Sequence, residues 1–159
     1  QDHFELYFDL ENRTRATNIA YIGPSLTTYQ NLNPGYRVYT ADGNYSGSTY
    51  AVLDHSTYYL DLVTTTKESM AWKFEYSAKE AYSMTSLQPA AWDDFVTRIG
   101  KNYTLFQTYY KYKWKCSPYG AKCTTPACIK DEMCALRSGR SHDDDFFCRN
   151  ATLHEYNMC

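Results

Sequence analysis

Six cysteines, at positions 116, 123, 128, 134, 148 and 159, all lie near the C-terminal end of a 159-residue chain. A crowded, even set of thiols does one of two things. In an oxidising compartment it becomes a disulfide framework; at short paired spacings it holds zinc as thiolate. No Cys-x-x-Cys pair occurs here. A second motif bears on the choice. Asn12-Arg-Thr14, Asn44-Tyr-Ser46, Asn102-Tyr-Thr104 and Asn150-Ala-Thr152 have the form of N-glycosylation acceptors. Cysteines and sequons together favour the secretory pathway.

The remaining reactive side chains are sparse. The histidines, at 3, 55, 142 and 154, show no i, i+4 pair of the kind that binds zinc on a helix. Asp54 precedes His55 and could orient its imidazole, but an isolated Asp-His pair in a strand or turn is more often structural. His142 precedes Asp143, Asp144 and Asp145. Three adjacent carboxylates repel one another and do not match the spaced ligands of a calcium loop, so a solvated acidic turn is expected. No Gly-x-Ser-x-Gly elbow and no phosphate-cradling glycine loop is present.

The elements that would carry these groups are legible in outline. Phe4, Leu6 and Phe8 alternate with polar residues in a strand period. A second apolar run covers 16–23, and Asn33-Pro34-Gly35 is a turn. Strands are expected over Tyr36–Ala41, Thr49–Leu53 and Thr57–Leu62, with a hairpin signal at Asp42-Gly43 and a break at Asp54-His55. Met70, Trp72, Phe74 and Tyr76 alternate as one more strand. Pro89 suits a first helical turn, and Trp92, Phe95, Val96 and Ile99 form one apolar stripe. Helices are also expected over Tyr103–Trp114 and Ala127–Leu136. Strands first and helices later is an α+β organisation, with a division near residues 66 and 67.

Composition narrows the partners. A formal net charge of -2 gives no basic footprint for nucleic acid. Lys111, Lys113 and Lys115 alternate with aromatic residues and read as a solvated helix end with snorkelling lysines. No run approaches the ~18 apolar residues of a membrane span. The chain begins at Gln1 and not at Met, so a leader or a longer upstream segment is expected.

Longer runs carry more. Ile22-Gly-Pro-Ser-Leu-Thr-Thr-Tyr29, Leu32-Asn-Pro-Gly-Tyr-Arg-Val-Tyr39, Asp42-Gly-Asn-Tyr-Ser-Gly-Ser48 and Val52-Leu-Asp-His-Ser-Thr-Tyr-Tyr59 resemble the acid sphingomyelinases. The likeness is nearly gap-free over 4–62, weaker through Trp72, Tyr76 and Tyr82, and returns at Leu105-Phe-Gln-Thr108 and in the spacing of Cys123, Cys128, Cys134 and Cys148.

The resemblance implies a lysosomal or secreted, zinc-dependent phosphodiesterase that cleaves sphingomyelin to ceramide and phosphocholine. Residues 1–66 would then be the last strands of a metallophosphoesterase sandwich, and 67–159 a helical, disulfide-stapled C-terminal domain. It also places every ligand of the two zinc ions, the leaving-group acid and a saposin-like domain upstream of Gln1. No catalytic or metal-binding residue is therefore expected in this chain, and its partners would be that upstream portion and sphingomyelin at membrane surfaces. Tyr29 matches a tyrosine lining the family's active-site mouth and is the one substrate-binding candidate. The family pairs Cys123 with Cys128 and Cys134 with Cys148; Cys116 and Cys159 would pair with each other, or Cys159 would be unpaired. Two alternatives stay open: a sphingomyelinase-like phosphodiesterase acting on nucleotide or other phosphoesters, and a non-catalytic paralogue or binding module.

Overall fold

The computed structural model describes residues 1–150, apart from the side chains of Asp145 and Asn150. It is α+β, as expected, with a two-stranded and a three-stranded antiparallel sheet. The chain forms two compact units, each assembled from three stretches: Gln1–Asp2, Gly23–Gln88 and Lys111–Ala121 in the first, and His3–Ile22, Pro89–Tyr110 and Lys122–Cys159 in the second.

In the second unit, β1 (His3–Phe8) pairs with β2 (Ala16–Ile22). The strand period puts Phe4, Leu6 and Phe8 on one face, and all three are buried. Against them pack α2 (Pro89–Ile99) and α4 (Pro126–Arg137). The expected stripe of α2 is real: Trp92, Phe95, Val96 and Ile99 are all buried. Phe4 meets Trp92 at 4.3 Å between ring centroids, and Phe95 meets Tyr109 of α3 (Tyr103–Lys113) edge-on at 6.0 Å. Such tilted ring pairs add roughly 0.5–1.5 kcal/mol each beyond the area they bury. Thr125 caps α4 by accepting the Cys128 amide at 3.3 Å, and Pro126 follows, where its missing N–H costs nothing.

The expected acidic turn is not simply solvated. Ser141–Asp143 makes a single 3-10 turn that leads into α5 (Asp144–Asn150). The Asp143 side chain is buried and ion-paired to Arg13, with Arg140 at 3.9 Å. A charge without that guanidinium would not be buried.

In the first unit, β3 (Gly35–Ala41), β4 (Val52–Tyr59) and β5 (Lys73–Ser77) form the sheet. Two expectations need correction. β4 runs unbroken through Asp54 and His55, whose side chains fall on opposite faces of the strand. Asp54 accepts hydrogen bonds from Ser77 Oγ (2.8 Å) and from the Lys79 amide (3.2 Å) that opens α1 (Ala78–Ala81). His55 is buried edge-on to the rings of Tyr39 and Tyr76. Thr49, expected in a strand, instead donates its amide and hydroxyl to Asp42, at 2.7 and 2.8 Å. The Tyr45 hydroxyl, then the Thr49 amide and hydroxyl, keep the Asp42 pKa down at about 2 and hold the hairpin loop. Gly47, at φ 89°, supplies the left-handed turn residue the loop needs.

Candidate functional site

The sheet of the first unit is held by buried charge. The Asp2 carboxylate pairs with Arg37 and accepts hydrogen bonds from the hydroxyls of Tyr76 (3.1 Å) and Thr57 (3.3 Å). Register explains the convergence: Arg37 lies opposite Thr57, and Thr57 opposite Tyr76, so the three share one face. Burial raises the Asp2 pKa, and the guanidinium and hydroxyls oppose that shift. Burial together with Arg37 lowers the His55 pKa to about 3, so that imidazole is neutral at physiological pH.

Beside this network sits Glu75, whose two carboxylate oxygens are buried without a geometric hydrogen-bond partner. Burial, then the neighbouring Asp2, raise its pKa to about 8; the Cys116 thiol, Lys115 and Arg37 pull the other way. The Cys116 thiol is pushed up to about 12, chiefly by burial and then by Glu75. At neutral pH it is a thiol, and an unreactive one. Cys116 stands outside any disulfide among the described residues. Its expected partner, Cys159, lies outside those residues. The other two pairs are present: Cys123 with Cys128, and Cys134 with Cys148.

Tyr29 lies in this unit, on the loop between β2 and β3. It opens one 3-10 turn, Tyr29–Asn31, and is 76% exposed. Gln30 and Asn31 both have φ of 63°. Two successive left-handed residues without glycine cost roughly 1–2 kcal/mol each, and they swing the turn outward. Next to it is a cavity of about 460 Å³, walled by Thr28 and Asn31, by Leu62 and Val63, and by Ser117 and Tyr119. Its floor includes the buried Asn33, whose amide nitrogen donates to the Lys115 carbonyl (3.0 Å) and whose oxygen accepts the Leu62 amide (3.2 Å). The loop thus presents an exposed phenol on a turn of left-handed backbone, able to offer a ring face and a hydroxyl.

The lysine run departs from expectation. α3 ends at Lys113, and Lys113 and Lys115 are both buried instead of solvated. Sequence reasoning missed Lys115 because the alternation of Lys with aromatic residues looks like a wet helix face. Its signal would have been the helix end, since Lys115 and Cys116 turn left-handed, at φ 51° and 52°.

Among the described residues one cluster of metal-type donors converges, Cys134, Asp144 and Cys148. Its sulfurs are bonded to each other, so neither is a thiolate ligand. That cluster therefore does not fit the zinc implied by the resemblance. Of the four sequon asparagines, Asn12, Asn44 and Asn102 are exposed, and the Asn150 side chain lies outside the described set. No helix among the described residues is long and apolar enough to cross a membrane.

Comparison with known proteins supplies the rest. The family model described as the acid sphingomyelin phosphodiesterase C-terminal region matches residues 15–144. The chain is 42% identical to a sphingomyelin phosphodiesterase of Bos taurus and 41% identical to that of Homo sapiens, in each case over 94% of this chain and 24% of the relative. It is 25% identical to the acid sphingomyelinase-like phosphodiesterase 3b of Mus musculus, over 86% of this chain and 30% of that protein. The chain thus spans about a quarter of the length of the sphingomyelin phosphodiesterases it matches.

Proposed function

Because the chain belongs to the acid sphingomyelin phosphodiesterase family, as its C-terminal region, we propose that it works as that part of a sphingomyelin-cleaving phosphodiesterase. One observation carries the substrate: identity reaches 41–42% with mammalian proteins named sphingomyelin phosphodiesterase and stays at 25–29% with the acid sphingomyelinase-like phosphodiesterase 3b and the cyclic GMP-AMP phosphodiesterase of Mus musculus. On this reading the complete protein is a lysosomal or secreted glycoprotein. Its two zinc ions are held by sequence outside this chain, which alone neither binds zinc nor hydrolyses a phosphodiester.

This chain's own contribution is a wall of the active-site mouth. Tyr29 is exposed on its loop, so its ring can meet the choline cation and its hydroxyl a phosphate oxygen. A cation over a ring is worth roughly 0.5–2 kcal/mol, or about two- to thirtyfold in rate. Tyr29→Ala in the complete enzyme should lower kcat/KM for sphingomyelin by about that factor with zinc content unchanged. Tyr29→Phe should lose less. Unchanged kinetics for the alanine variant would remove Tyr29 from the site. A wild-type protein that hydrolyses nucleotide esters, and not sphingomyelin, would overturn the substrate.

A further inference from the structure

Lys115 is wholly buried, and among the described residues Asp2 and Glu75 act on its charge without reaching ion-pair distance. An ammonium is not taken out of water without a partner. Its Nζ donates to the Ser25 carbonyl at 3.2 Å, across 90 residues of sequence. The same carbonyl accepts the Gly35 amide at 3.0 Å. Ser25 and Gly35 are the two ends of the loop that carries Tyr29, so the lysine ties its neck.

Two more contacts come from the same short stretch. The Lys115 carbonyl receives the Asn33 amide nitrogen at 3.0 Å, and Ser117 Oγ donates to the Asn31 carbonyl at 2.5 Å. The lysine stem also lies against the loop backbone: a Cβ on Gly35 would come within 2.9 Å of Lys115 Cδ. Residues 115–117 thus grip the loop at its neck, at Asn33 and at the end of the Tyr29–Asn31 turn. They leave the Tyr29 ring outside the grip.

We propose that Lys115 is a positioning residue for Tyr29, with Ser117 as its auxiliary. The inference rests on the reading that Tyr29 contacts substrate. The buried ammonium sets the neck, the neck fixes the angle of the left-handed turn, and the turn aims the phenol. Such placement matters because small misalignments at a reacting centre are costly in rate.

The test uses the complete enzyme with sphingomyelin in mixed micelles. Lys115→Met keeps the stem and deletes the ammonium; Ser117→Ala deletes one hydroxyl. Lys115→Met should lower kcat/KM about tenfold, and Ser117→Ala about two- to threefold, with zinc content unchanged. Amide exchange over residues 24–35 should rise in both variants. In a Tyr29→Ala background neither substitution should lower kcat/KM further, an outcome that general destabilisation does not produce. Full additivity with Tyr29→Ala, or unchanged exchange over 24–35, would overturn the proposal. If Lys115→Met does not fold, Ser117→Ala decides by the same two measurements. Should Tyr29→Ala alone have wild-type kinetics while Lys115→Met still loosens 24–35, the lysine holds the loop and the substrate reading of Tyr29 is what falls.

Discussion

The unit containing β1, β2 and α2 buries Phe4, Leu6, Phe8, Trp92, Phe95 and Phe106 with the ion-paired Asp143, whereas the unit containing β3–β5 buries Asp2, Asn33, His55, Thr57 and Lys115 beside apolar residues such as Leu32, Tyr76, Tyr82 and Met84. The first kind of core is held by contact area and ring packing, which depend little on pH or salt. The second adds to its apolar contacts a set of directed bonds among charged and polar groups, each costly to leave unmade. The exposed Tyr29 loop rides on the second kind. A directed bond fixes an angle as well as a position, which is what a loop that must present one side chain requires.

The comparison can be broken or sharpened at four places, and the largest effect belongs to Glu75. Its folded pKa, about 8, lies above the ordinary carboxyl value of 4.5. The folded state therefore holds a proton that the unfolded state has released between those limits. The contribution is fully present below about pH 4.5 and is lost as pH rises to about 8; expressed in full it is worth about 5 kcal/mol. Hydrogen exchange of the β5 amides, followed from pH 5 to 8.5, should show stability falling with pH. Glu75→Gln should flatten that profile, and a flat profile in the unsubstituted protein would refute the burial of a neutral acid.

Next comes Phe95→Ala. It empties a fully buried site between Phe4, Trp92 and Tyr109 and should cost about 4 kcal/mol, equally at pH 5 and pH 8. Urea titration at both values reads it, and pH sensitivity would blur the contrast between the units. Arg37→Met should cost about 3 kcal/mol by stranding the Asp2 carboxylate, and adding Asp2→Asn should recover part of the loss. Additive losses in the double variant would mean that the pair does not act as one. The smallest effect is selective loss of the Cys123–Cys128 disulfide by paired Cys→Ser substitution. Its five-residue span confers about 2 kcal/mol in the chain-entropy account, read as a lower thermal midpoint.

Local pattern made the apolar unit readable and left the polar one mostly hidden. The stripe of α2 and the alternation of β1 are periodic, and period is what a sequence displays directly. The Asp2–Arg37–Thr57–Tyr76 network joins residues far apart in the chain, and nothing local marks Asp2 as the group that binds the sheet together. Lys115 was misread for a related reason: its burial depends on where α3 stops and on a carbonyl 90 residues away. Tyr29 was found by likeness to a family. Its own surroundings mark only a turn, and the left-handed pair that projects it, Gln30 and Asn31, contains no glycine to announce it.

The interleaving of the two units has a consequence for how the chain is made. A ribosome releases residues in order, at about 5–20 per second. Strands β3 to β5 emerge early, but the stretch that supplies Lys115 and Ser117 follows only after α2 and most of α3 have left the tunnel. β1 waits longer still, since α4, which packs on it, begins at Pro126. From the emergence of β1 until α4 follows, the nascent chain therefore exposes Phe4, Leu6 and Phe8 with no cover from α4. A stop codon before residue 115 would release a polypeptide with neither unit complete.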